Sequence, residues 1–154
     1  MQNESEIKIG FTIGDPNGIG PEVLIRALHY LYPFNKWQPL IFGDLEIIKE
    51  INKAVGTSFS YKPIPNNHNL PIEELDDSSC IPVIDLPVRK NRKWKLGLCS
   101  SWGGESAFKF FHNAILWANK KLIDAIVTSP LSKEALFSAG YNFTGHTEII
   151  SHYS

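Results

Sequence analysis

A chain of 154 residues that is 43% hydrophobic and 20% charged can bury a globular core, at this size roughly 70% of the surface its unfolded form exposes. With 15 basic against 16 acidic residues the net charge is −1, so no positive field is available to attract nucleic acid. No stretch approaches the ~20 apolar residues of a membrane span, and the polar start Met1-Gln2-Asn3-Glu4-Ser5-Glu6 has neither part of a signal peptide; a soluble cytoplasmic protein is expected.

The apolar run Ile7–Ile13, bounded by Gly14-Asp15-Pro16, predicts a strand. Pro21 stands at a favoured first helical position, with Glu22 in the first turn. Val23, Ala27, Leu28 and Leu31 then recur at helical spacing until Pro33 closes the segment. Residues Pro39–Phe42 predict a second buried strand, and Gly43-Asp44 a turn and N-cap for a helix built on Leu45, Ile48, Ile51 and Val55, closed by Gly56. From 57 to 100, Pro63, Pro65, Pro71, Pro82 and Pro87, with Asn66-Asn67 and Asp76-Asp77-Ser78-Ser79, break any long helix. Short strands around Phe59–Ile64 and Ile81–Leu86 are expected there, antiparallel or at a sheet edge.

The basic cluster Arg89-Lys90-Asn91-Arg92-Lys93-Trp94-Lys95 reads as a solvated surface loop rather than a phosphate contact. Cys80 and Cys99 have neither metal-ligand spacing nor a redox partner and suit a reducing compartment. A long helix begins around Ser101-Trp102-Gly103-Gly104-Glu105, with Ala107, Phe108, Phe111, Ala114, Ile115 and Ala118 as its buried stripe. Ala125-Ile126-Val127-Thr128 is a strand left through Ser129-Pro130, and a helix from about Leu131 to Ala139 ends at Gly140. Strands alternating with amphipathic helices predict an α/β fold, a mostly parallel sheet flanked by helices. Such sheets bind ligands in loops at the carboxyl ends of their strands.

Three segments could carry chemistry. Gly14-Asp15-Pro16-Asn17-Gly18-Ile19-Gly20-Pro21-Glu22 joins strand to helix and fits neither a P-loop nor a dinucleotide fingerprint, but its glycines permit close backbone approach and a helix amino terminus follows. A tight turn capped by Asp15 explains it equally well. Thr128-Ser129-Pro130-Leu131-Ser132-Lys133 offers hydroxyls, helix N–H groups and an ammonium to an anion; capping by Ser129 with a solvated Lys133 is the simpler account. The sharpest is Asn142-Phe143-Thr144-Gly145-His146-Thr147-Glu148, where His146 and Thr147 follow a glycine. A histidine there can donate to phosphate, move a proton or ligate a metal; the structural alternative has Thr144 as N-cap and His146 on a helix surface. His29, His68, His112 and His152 have no ligand partner at useful spacing, and no complete metal site or nucleophile elbow occurs.

Taken together and in this order, Thr12–Glu22, Asp124–Lys133, Ala139-Gly140 and Phe143–Glu148 resemble the 4-hydroxythreonine-4-phosphate dehydrogenase family (PdxA) of vitamin B6 biosynthesis. The resemblance spans nearly the whole chain and is thinnest from 57 to 95. It implies a fold similar to isocitrate and isopropylmalate dehydrogenases, with two α/β lobes around a cleft, a lobe boundary near 129–133 and a homodimer. Implied chemistry is oxidation of 4-phosphohydroxy-L-threonine by NAD or NADP, followed by decarboxylation, on the way to pyridoxine 5'-phosphate. A divalent metal (Zn, Mg or Co) acts as Lewis acid in that scheme.

The family's His-Thr pair contacts the phosphorylated substrate, which maps to His146 and Thr147. Gly14, Asp15, Gly18, Gly20 and Lys133 are candidates for an anion, substrate or cofactor loop. The family's three metal-binding histidines lie beyond the Gly-His-Thr-Glu motif, so metal ligands are expected past residue 154. No metal ligand or catalytic residue is therefore assigned within the chain. Residues 1–154 read as the amino-terminal part of the two-lobed enzyme, with the rest of the second lobe missing, and are expected to be inactive alone. Alternatives are a non-catalytic phospho-ligand binding module, or a related dehydrogenase acting on another hydroxy acid.

Overall fold

The computed structural model describes residues 7–31, 37–67, 80–88 and 95–154. The chain runs β1 (Ile7–Thr12), α1 (Gly20–Leu31), β2 (Trp37–Gly43), α2 (Leu45–Val55), β3 (Tyr61–Ile64), β4 (Ile81–Asp85), α3 (Ser101–Asn119), β5 (Ala125–Thr128), α4 (Lys133–Ser138) and α5 (His146–Tyr153). The strands form one sheet in the order β3-β4-β2-β1-β5. Every pairing is parallel, from Tyr61↔Ile81 at one end to Thr12↔Thr128 at the other. The expected α/β class and mostly parallel sheet are present.

Two details differ from expectation. Residues 59–64 and 81–86 do hold short strands, but both run parallel to their neighbours, and only β3 lies at an edge. Turn residues mark where the chain leaves a strand but carry no information on its direction on return. On α1 the buried positions are Pro21, Leu24, Ile25 and Leu28, while Val23 and Leu31 are exposed. Apolar residues on two sides of this helix give it two similar stripes, and the docking of Gly20 against Ser129 selects one.

The interior follows from near-continuous apolar strands, as a sheet covered on both faces requires. Leu40, Ile41 and Phe42 of β2 and Val83 and Ile84 of β4 are fully buried. Trp117 of α3 meets the Phe42 ring edge-on at 5.6 Å. Full burial of each such side chain is worth about 1.5–3 kcal/mol relative to exposure. The other side of α3 presents Phe108, Phe111 and Ile115 to Leu136 of α4 and Ile149 of α5, a second, smaller core.

Local signals set the helix ends. Asp44 caps α2, its Oδ1 accepting from the N–H groups of Glu46 and Ile47 at 3.0 and 3.3 Å, and Gly56 closes it at φ +78°. Helix α4 starts at Lys133 because Ser132, not Ser129, is its cap. No described helix is long and apolar enough to cross a membrane. Residues 68–79 and 89–94, with His68 and most of the basic cluster, lie outside the described residues.

Sheet order sets the place of a binding crevice. From β1 the chain moves through α1 to β2 on one side, whereas β5, reached from β4 through α3, lies on the other. Right-handed crossovers then put α1 and α3 on opposite faces, so β1 and β5 flank a switch point. The loops leaving these strands are Gly14–Gly20 and Ser129–Ser132.

Candidate functional site

These two loops are clasped together. Ser129 N–H donates to Thr12 O at 3.2 Å, Asp15 N–H to Pro130 O at 3.3 Å, and Ser129 Oγ–H to Gly20 O at 3.4 Å. Gly14 adopts φ +71°, and a side chain on it would collide with Pro130 O. A Cβ on Gly20 would stand 2.6 Å from Ile13 O and 3.0 Å from Ser129 Cβ. These two glycines are therefore required by loop packing alone. Gly18 is different, since its nearest outside atom would lie at 3.4 Å, ordinary contact.

Asp15 and Asn17 are buried under α3. Asp15 Oδ1 accepts from Asn17 N–H at 2.8 Å, and Gly103, in the first turn of α3, leaves room for that same carboxylate. Burial pushes the Asp15 carboxyl above its ordinary value, while the Asn17 N–H pulls the other way. Asn17 connects three segments. Its Nδ2 donates to Ser100 Oγ at 2.9 Å, its Oδ1 accepts from Lys95 N–H at 3.1 Å, and its carbonyl accepts from Gly97 N–H at 2.7 Å. Ser100 Oγ in turn caps α3 by accepting from Gly103 N–H at 3.1 Å.

The loop thus uses its donors internally. The N–H groups of Asp15, Asn17 and Gly18 all bond within the protein, Gly18 to Asp15 O at 2.9 Å. They are not available as a cradle for an anion in this arrangement. What the loop offers instead is a surface, a depression of about 290 Å³ lined by Asn17, Gly18, Ile19, Glu22, Leu96 and Gly97. Ile19 and Leu96 are 63% and 58% exposed on it. Its lining combines these two aliphatic side chains with the Glu22 carboxylate, Asn17 and two glycines.

Lys133 is exposed on the first turn of α4. Ser132 Oγ accepts from Ala135 N–H at 3.1 Å and lies 3.6 Å from the Cys99 sulfur.

The turn at Phe143–Glu148 lies elsewhere along α3. His146 opens α5, half-buried, with its ring edge-on to Phe111 at 4.9 Å and 88°. Burial lowers the His146 pKa, favouring the neutral imidazole, which can both donate and accept. Thr147 beside it is exposed. Phe111 is eight residues beyond Gly103, roughly 12 Å along the helix axis. The fold therefore brings the first two motifs into contact and sets His146 about two helical turns away, with α3 as the rigid spacer.

Thr144 is not the N-cap; Gly145 holds that position and has no side-chain cap. Thr144 instead donates both its N–H and its hydroxyl to Glu148 Oε2, at 2.6 and 2.8 Å. These bonds pull the Glu148 carboxyl below its ordinary value. Glu148, Asn17 and Ser100 are contributors that residue-by-residue reading overlooked. A Thr four residues before a Glu was the available signal for the first, one position longer than a standard capping box.

The other described histidines make ring contacts. His112 stacks on Phe108 at 5.6 Å and 9°, His152 contacts Phe143 at 5.6 Å, and His29 meets Phe59 edge-on at 5.9 Å. Among the described residues, no three His, Cys, Asp or Glu side chains gather as a metal site would require. These residues do not fit a metal ion.

Comparison with known proteins agrees with the fold. The family model described as "Pyridoxal phosphate biosynthetic protein PdxA" matches residues 35–154. The D-threonate 4-phosphate dehydrogenase of Cupriavidus necator is 34% identical over 144 residues, covering 94% of this chain and 42% of that protein. The crystal structure of a 4-hydroxythreonine-4-phosphate dehydrogenase from Burkholderia phymatum superposes with TM-score 0.84 at 30% identity, over 97% of this chain and 44% of that one. A Klebsiella pneumoniae structure of the same name gives 0.81 at 30%, with the same coverage. The chain thus spans less than half the length of these relatives. With the family model matching well over half of its residues, the chain belongs to the PdxA family.

Proposed function

We propose that this chain is the amino-terminal part of an NAD- or NADP-dependent dehydrogenase that oxidises the secondary alcohol of a phosphorylated four-carbon hydroxy acid. The substrate we favour is 4-phosphohydroxy-L-threonine, with decarboxylation following oxidation, as a step toward pyridoxine 5'-phosphate. The observation that carries this reading is the turn at the start of α5. A half-buried His146 and an exposed Thr147 there present N–H and hydroxyl donors beside a helix amino terminus, the surroundings a phosphoryl group needs. D-threonate 4-phosphate is the second substrate reading, since the Cupriavidus necator relative is named for it. Both molecules carry a terminal phosphate, and the reading of His146 and Thr147 is the same for either.

A nicotinamide cofactor would accept the hydride from the alcohol carbon. The depression between Ile19 and Leu96 suits a flat ring, because two exposed aliphatic side chains flank it and Gly18 permits close approach, with Glu22 at its side. In this reading Gly14, Asp15 and Gly20 shape that wall without touching the ligand. Lys133, exposed at the boundary we put near 129–133, is the cation this reading assigns to the cleft between the lobes. Metal ligands, a homodimer and a cytoplasmic setting complete the proposal at the level of the whole enzyme. No step is derived through a metal, since the described residues gather no ligand set.

The test is His146→Ala and Thr147→Ala in the full-length dehydrogenase, assayed with both phosphorylated substrates. Loss of a hydrogen bond to a charged phosphate costs about 1.5–3 kcal/mol, a fall of about 10- to 150-fold in kcat/KM for His146→Ala. Unchanged kinetics in both variants would remove the turn from the substrate site. A protein that binds the phosphorylated acids without dinucleotide and never reduces it would be a binding module instead.

A further inference from the structure

We propose that Glu148 is a positioning residue, holding the Thr144–Thr147 turn in the orientation in which His146 and Thr147 meet a phosphoryl group. The inference rests on the reading of His146 and Thr147 given above and adds the residue that makes their geometry definite.

Gly145, at the centre of the turn, does not hold its own conformation. Its backbone is extended, φ 164° and ψ −173°, a region any residue adopts, and nothing lies within 4 Å of where a Cβ would be. The turn is instead held at its two ends. On the helix side Ile149 is fully buried among Phe108, Phe111, Ile115 and Leu136, and Phe111 limits the His146 ring. On the loop side one carboxylate oxygen of Glu148 takes both donors of Thr144, at 2.6 and 2.8 Å. Two bonds to one residue fix position and rotation together.

Behind the turn, the first N–H groups of α5 have no intrahelical acceptor and are free to meet an anion. Glu148 is a fully exposed carboxylate beside a proposed anion site. As a charge alone it would repel phosphate, so position and charge predict opposite signs for its removal.

The experiment follows isotope-labelled 154-residue chain by NMR while inorganic phosphate is added, for wild type, Glu148→Ala, Glu148→Gln and His146→Ala. Glu148→Ala is expected to weaken phosphate binding by about fivefold, a change of about 1 kcal/mol, despite removing a negative charge. It is also expected to shift the Thr144 amide away from its hydrogen-bonded position and to weaken the cross-peaks between the His146 and Phe111 rings. Glu148→Gln keeps an acceptor oxygen without the charge, and should keep the Thr144 amide shift and bind phosphate at least as well as wild type. Tighter or unchanged binding in Glu148→Ala, with the Thr144 amide and His146 ring undisturbed, would overturn the proposal.

The two readings fail separately. Phosphate affinity unmoved by His146→Ala, or absent in wild type, counts against the substrate site. The Thr144 and His146 signals in Glu148→Ala decide the positioning role in either case.

Discussion

Replacing Gly104 by Ala tests the close backbone contact between α3 and α4. Its Cβ would stand 2.6 Å from Leu136 N and nearer still to the Ala135 carbonyl, against 3.4 Å for ordinary contact, so the backbone of α4 must retreat by about 0.8 Å or more. Ala135 and Leu136 are fully buried, and no flexible side-chain end is available to swing aside. Overpacking of this kind costs roughly 1–3 kcal/mol, and more when backbone moves. Alanine in a helix recovers about 1 kcal/mol over glycine. The net expectation is a loss of about 1–2 kcal/mol, or about 2–8 °C in melting temperature for a domain of this size. Thermal and urea unfolding, followed by far-UV circular dichroism and tryptophan fluorescence, measure it. A Gly104→Ala protein melting at or above wild type would mean that helix propensity outweighs the clash and that α3 and α4 do not meet backbone to backbone.

Gly145→Ala should behave in the opposite way. With open space around it and an extended φ, the fold accepts a methyl group, and stability should hold or rise by up to about 1 kcal/mol through the unfolded chain. Phosphate affinity should still fall severalfold if the ligand approaches over this turn; a drop in melting temperature would contradict the geometry, and unchanged affinity the approach. Acid should weaken the protein in two steps. His112 and His146 both have pKa values lowered from 6.5 by burial between α3 and α5, so the unfolded chain binds protons first. Stability should therefore decline as pH falls below about 6.5 and level off once the folded-state values are passed. Glu148, lowered from 4.5 by Thr144, contributes above 4.5 and loses that contribution as pH falls through its folded value. Urea midpoints measured across pH should show both windows, with His146→Gln shrinking the upper one and Glu148→Gln removing only the lower. A pH-independent midpoint between about 5 and 7.5 would contradict the burial of the two rings.

Much of this molecule was readable from residue order, because the signals involved are local. Ala125–Thr128 is a strand to the residue, Asp44 and Gly56 bound α2 as their chemistry predicts, and Ala107, Phe108, Phe111, Ala114 and Ile115 of the α3 stripe are buried, with Ala118 half-buried and Phe110 and Trp117 buried besides. Each depends on neighbours within a turn or two, where propensity and capping act. The same holds for the three motifs, whose order pointed to the family before any contact was known.

Partnership between distant segments was decided by tertiary structure alone. Gly14 and Gly20 looked like a ligand cradle, but Gly14 avoids a collision with Pro130, more than a hundred residues away, and Gly20 is pressed between Ile13 and the equally distant Ser129. The long helix was expected to begin around Gly103-Gly104, but only the fold shows why glycines stand there, with Asp15 and Ala135 lying against them. Strand direction in β3 and β4 is a matter of which strands pair, which turn residues do not encode. Periodicity and composition fixed which pieces form; excluded volume and the pairing of buried polar groups, which act only once the chain is compact, chose which pieces touch. That is why residue order alone named His146 and Thr147, and why Glu148 and Asn17, which hold their turns in place, emerged only from the folded chain.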